Sequence, residues 1–79
     1  MVNQVLVNVK TSKGTWETTF QKSTRIMDVI LGSRIHFRLS KETKLVLCRQ
    51  ELPHVDFDPD RASVNYNIID GEILILKEL

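Results

Sequence analysis

Only one cysteine, Cys48, stands among the 79 residues, so no disulfide can form within the chain and packing alone must hold it together. A lone thiol with no secretory leader before it predicts a reducing, cytosolic setting. No apolar run approaches the roughly 20 residues that a membrane-crossing helix needs, which argues against membrane insertion. Neither sign of charge is in excess: a formal net charge of +1 supplies no basic field for nucleic acid and no acidic tail. Two prolines and three glycines leave no low-complexity stretch or linker, and no internal repeat is visible. What remains is one small domain over residues 1–79. A chain of this size buries only about 60% of its unfolded surface, so its core must be thin.

What is present is alternation. Residues 2–10 place Val5, Val7 and Val9 on one face and Leu6, Asn8 and Lys10 on the other, the pattern of a half-buried strand. Thr11-Ser12-Lys13-Gly14 suits a turn in which Gly14 takes positive φ. Residues 15–21 alternate again, with Trp16, Thr18 and Phe20 against Glu17, Thr19 and Gln21, and the two segments predict an antiparallel hairpin. Its apolar face needs a cover. Ile26, Val29, Ile30, Ser33 and Phe37 recur at helical spacing and supply one. Ser23 or Thr24 is placed to cap that helix, Asp28 favours its positive end, and Arg34 and Arg38 suit its carboxyl end. Gly32 weakens it by about 1 kcal/mol relative to alanine and is expected to mark a close-packing point. Met27, Leu31 and Ile35 form a second apolar stripe, which predicts either wide burial of the helix or contact with a partner.

After a polar loop at 40–43, residues 44–48 predict a third strand, with Leu45 and Leu47 opposed to Val46 and Cys48. Pro53 and Pro59 restrict residues 49–60 to a short edge strand through Val55 and Phe57, and residues 61–65 suit one helical turn. In the closing stretch, NYNIIDGEILILKEL, the Asp70-Gly71-Glu72 turn leads into Ile73, Leu74, Ile75 and Leu76 without a polar break. Such a run fits a strand flanked on both edges. The order is ββαββ, an α+β domain with one helix packed on one face of a mixed sheet.

These pieces resemble ubiquitin and its relatives, the β-grasp fold, over nearly the whole chain. The resemblance is carried by Gly14 in the first turn, by Leu45-Val46-Leu47, and by Tyr66-Asn67-Ile68 ahead of Ile73-Leu74-Ile75. It implies a last strand lying centrally, parallel to the first and beside the third, and a Tyr66 that ties down a loop by hydrogen bonding. Conjugation is not expected of these residues, because Lys77-Glu78-Leu79 contains no counterpart of the Gly-Gly tail that those proteins activate. Free-standing ubiquitin-like accessory proteins of bacterial type VII secretion systems are similar in length and in Asp70-Gly71-Glu72-Ile73-Leu74. Ras-binding domains of the Raf type are similar in the acidic-aromatic stretch from Val55 to Asp60. The latter likeness would assign Glu17, Arg25 and Arg34 to contact with a small GTPase, with Arg38 a further basic helix position. Thr15, Glu17, Thr19 and Gln21 nevertheless give the second strand a different character from that family's basic one. A scaffold role within a longer cytoskeletal or signalling protein is a further alternative.

Chemistry-bearing residues are sparse. His36 and His54 have no second histidine or cysteine at metal spacing, and Cys48 with His54 would make a nucleophilic pair only if the fold brought them together. Asp56, Asp58 and Asp60 alternate as metal carboxylates do, yet Pro59 and Arg61 interrupt a calcium-loop pattern. The expectation is a domain without catalytic activity, cofactor or metal. Binding is better supported. With Val5, Val7, Val9, Leu45, Leu47, Ile73 and Ile75 under the helix, the opposite face would carry Leu6, Val46, Cys48, Leu74 and Leu76, fringed by Lys10, Lys44, Arg49 and Lys77. An apolar patch with a basic rim predicts recognition of a protein partner or of a second copy of the chain. The resemblance points the same way, since ubiquitin uses the matching surface and Val46 and Leu76 fall at corresponding positions of its patch.

Overall fold

The computed structural model describes residues 3–79, so the expected start of the first strand at Val2 lies outside the described residues. The first hairpin joins β1 (Gln4–Thr11) to β2 (Gly14–Gln21). Thr11 pairs with Gly14 around Ser12-Lys13, and Gly14 takes a φ of +135° that an L side chain rarely adopts. The helix α1 (Ile26–His36) follows, then β3 (Leu45–Arg49), the short β4 (Leu52–Asp56), a 3₁₀ turn (Ser63–Tyr66) and β5 (Glu72–Glu78). The sheet order is β2-β1-β5-β3-β4, with β5 parallel to β1 and antiparallel to β3. The last strand is therefore central, as expected. Pro53 sits on the edge strand β4, where its missing N–H leaves no gap in a central ladder.

The helix starts later than its capping residues suggest. Arg25 occupies the cap position, and no side chain accepts a hydrogen bond from the first turn. Instead Ile26 N–H donates to the Arg61 carbonyl at 2.8 Å and Met27 N–H to the Pro59 carbonyl at 2.9 Å. The segment before the 3₁₀ turn thus satisfies backbone donors that Ser23 or Thr24 was expected to satisfy. Ile26, Val29 and Ser33 face inward and are buried, whereas Met27, Leu31 and Ile35 are exposed, so the helix covers the sheet with one stripe only. Gly32 is not a point of forced contact: a methyl group built there would meet Phe20 and Trp16 at 3.7 Å, an ordinary van der Waals distance.

The core lies between helix and sheet and comprises Val5, Val7 and Val9 with Ile26, Val29, Leu45, Leu47, Leu74 and Leu76, among others. This corrects the phase expected for β5. Leu74 and Leu76 are only 1% and 3% exposed, while Ile73 is 36% exposed and Ile75 half-buried on the opposite face. Register is the cause: Leu74 stands beside Val9 of β1, and Leu76 beside Leu47 of β3, so each shares its neighbour's inward direction. Glu72 falls on that same inward side. It is tolerated there because Arg49 pairs with it.

Tyr66 is the tie that its position suggests. Asp58 N–H donates to the Tyr66 hydroxyl at 2.7 Å, and the Tyr66 and Phe57 rings lie 4.3 Å apart. Arg49 completes the cluster by donating to the Tyr66 carbonyl and lying over the Phe57 ring at 5.8 Å.

Candidate protein-interaction surface

The face of the sheet away from the helix is built by alternation along each strand. β1 contributes Leu6, Asn8 and Lys10, and β2 contributes Thr15, Glu17 and Thr19 opposite them. β5 contributes Ile73, Ile75 and Lys77. Ile75 stands between Lys10 of β1 and Cys48 of β3, and Lys77 stands beside Val46. The apolar residues that reach solvent across the three central strands are therefore Leu6, Val46, Ile73 and Ile75. Lys10 and Lys44 are exposed at its border.

Five of the expected surface residues are placed differently. Leu74 and Leu76 belong to the core, for the reason of register given above. Arg49 points to the helix side and is engaged by Glu72 and the Tyr66 carbonyl, so it is an internal anchor and not part of a basic rim. Cys48 does face away from the helix but is 0% exposed. Lys77 explains why. Its ammonium bonds Asp56 at 2.7 Å and the Pro53 carbonyl at 2.9 Å, both on β4, while its own strand is β5. With β3 between those two strands, the lysine stem must cross over β3, where Val46 and Cys48 lie. Burial pushes the Cys48 thiol up from its ordinary value, with Lys77 opposing and Asp56 adding to the shift. The hydrogen bond to Asp56 raises the Lys77 ammonium in turn. Lys77 is thus a strap across the sheet and not a free cation.

Lys77 lies in the same alternation as Ile73 and Ile75 and points to their side as the outer one, but Glu72 and Glu78 lie in the alternation of Leu74 and Leu76 and cancel that signal.

Beside the open face, where β3 turns into β4, a cleft of about 460 Å³ separates the turn from the segment entering β5. Leu52, Ile69 and Ile73, all among the exposed large apolar residues, line it together with Glu51 and Asp70. The Asp70 carboxylate also continues the sheet, accepting the Leu6 N–H at 2.9 Å.

No protein-family model matches the chain, and no curated protein matches it either. Solved structures do. A de novo designed protein based on ubiquitin aligns over 96% of this chain and 89% of its own, with a TM-score of 0.80 at 18% identity. A structure described as molecular mimicry of SUMO that promotes DNA repair aligns over 98% of this chain and 94% of its own, with a TM-score of 0.82 at 12% identity. The fold is the ubiquitin-like β-grasp. At such identities the likeness extends to architecture alone.

Within this β-grasp the remaining candidates are scattered. Glu17 is exposed on the edge strand β2 and Arg25 is exposed ahead of α1, but Arg34 donates to the Ser40 carbonyl and so helps fasten the helix end to the next loop. His54 is exposed on β4, whereas Cys48 is buried with its thiol pushed up, the opposite of what a nucleophile requires. Asp56 is engaged by Lys77, and Asp58 accepts the Asp60 N–H at 3.0 Å. Among the described residues no three metal-binding side chains converge.

Proposed function

We propose that this chain is a non-catalytic ubiquitin-like interaction domain that recognises a protein partner through the open face of its sheet. The observation supporting it is the strip formed by Leu6, Val46, Ile73 and Ile75, which lies on the face of the sheet away from α1. Residues of this kind gain from being removed from water by about 25 cal/mol per Å². Lys10 and Lys44 border the strip and favour a partner whose complementary surface is acidic at its edge. Such charges raise the rate of encounter more than they lengthen the complex's lifetime.

The double variant Val46→Asp with Ile73→Asp tests this, because both positions reach solvent and neither belongs to the core. Circular dichroism and thermal midpoint should stay close to those of the parent, while affinity for an identified partner falls by more than about a hundredfold. Equal affinity of parent and variant would remove the open face as the contact surface. Sedimentation over a range of concentrations distinguishes a second copy, since self-association would then vanish in the same variant.

A second reading, contact with a small GTPase through β2, is favoured by β2 being an edge strand with Glu17 exposed and Arg25 nearby in sequence. It requires stronger binding to the GTP-loaded form, and indifference to the nucleotide dismisses it.

A further inference from the structure

The cleft between the β3–β4 turn and the segment entering β5 lies outside the open-face strip and shares only Ile73 with it. Its walls have two characters. Leu52, Ile69 and Ile73 present aliphatic surface that is exposed among the described residues. Four charged residues line it, but Arg49 and Glu72 neutralise one another, which leaves Glu51 and Asp70. Neither of these two is in an ion pair among the described residues. One Asp70 oxygen already accepts the Leu6 N–H, so that carboxylate is held in place with its second oxygen available. The cleft therefore joins an exposed aliphatic wall to two carboxylates, one from each of its sides.

We propose that this cleft accepts an arginine side chain from an extended segment of a partner protein. The aliphatic stem lies on Leu52, Ile69 and Ile73, and the guanidinium meets Glu51 and Asp70. A volume of about 460 Å³ admits one long side chain. Arginine suits it better than lysine, because a planar fork of five donors engages two carboxylates at once and gives up its hydration more readily than an ammonium does. The site would give a partner docked on the open face a second, oppositely charged point of contact, but it stands without that docking.

The test is a titration of the ¹⁵N-labelled chain, at low ionic strength, with a blocked Ala-Arg-Ala tripeptide and with its citrulline counterpart. Citrulline keeps the length and planarity of arginine and removes the charge. The arginine peptide should shift the amides of Gln50, Glu51 and Gly71 saturably, and the citrulline peptide should bind at least about tenfold more weakly. Glu51→Lys, at an exposed turn position, should reduce binding by a similar factor without disturbing the rest of the spectrum. Equal binding of the two peptides, unchanged binding by Glu51→Lys, or shifts without saturation spread over the sheet would each overturn the proposal. Val46→Asp separates the two surfaces: it should leave the peptide titration unchanged, and loss of peptide binding in that variant also overturns the cleft assignment. None of these outcomes bears on whether a partner uses the open face.

Discussion

Lys77 shows how one side chain can decide how much of a surface is available. By reaching from β5 to Asp56 and Pro53 of β4, it covers Cys48 and withdraws its own charge from the rim. The pair has a pH signature. Cys48 is raised above its ordinary 9.0 by burial, and Lys77 is raised above its ordinary 10.5 by its hydrogen bond to Asp56. Each group holds its proton more tightly folded than unfolded, so each contributes stability that is complete below its unfolded pKa and is lost as pH rises through the folded one. The two effects have the same sign. Denaturant midpoints should fall as pH rises from about 9 to 11. Cys48→Ala should flatten the lower part of that fall and Lys77→Met the upper part. An alkaline limb unchanged in both variants would show that neither proton is linked to folding. Because Lys77 is well solvated, its share should also shrink at high salt.

At the scale of elements, β5 carries the largest discrepancy between pattern and structure. Hairpin, helix and third strand were legible because each has a period: Val5, Val7 and Val9 alternate with polar neighbours, and Ile26, Val29 and Ser33 recur at helical spacing. In contrast, Ile73 to Leu76 is apolar at every position, so alternation could not say which pair faces the helix. The Arg49–Glu72 contact concealed the answer further, since a glutamate on the inward side of a strand is unexpected until its partner is known. The missing helix cap has a similar origin, because the carbonyls of Pro59 and Arg61 that replace it come from some thirty residues away. The phase of β5 can be tested directly. Leu74→Ala removes a side chain only 1% exposed and should cost about 2–5 kcal/mol. Ile73→Ala, at a position 36% exposed, should cost about 1 kcal/mol or less. Urea denaturation of the two variants measures the contrast, and a reversed order would return Ile73 and Ile75 to the core.

Over the whole molecule, stability is concentrated in the three central strands and thins toward the edge at β4. Every residue of β4 is exposed, its pairing to β3 is interrupted between Cys48 and Arg49, and its contact with β5 is through Lys77. Beyond it the chain is secured again, with Phe57 buried, Phe57 N–H donating to the Leu47 carbonyl at 2.8 Å, and Tyr66 holding Asp58. The arrangement gives β4 few apolar contacts of its own and firm anchors on either side, the conditions for a segment that opens while the rest stays folded. Cys48, under the Lys77 strap, should report that opening. Under native conditions a small alkylating reagent should label it faster than global unfolding allows, and the rate should respond weakly to urea because little surface is exposed in the opening. Lys77→Met should change the labelling rate far more than Leu74→Ala does, since it alters the strap and leaves the core whole. If labelling instead follows global stability, with the urea dependence of complete unfolding and the larger effect from Leu74→Ala, then β4 opens only with the rest of the sheet.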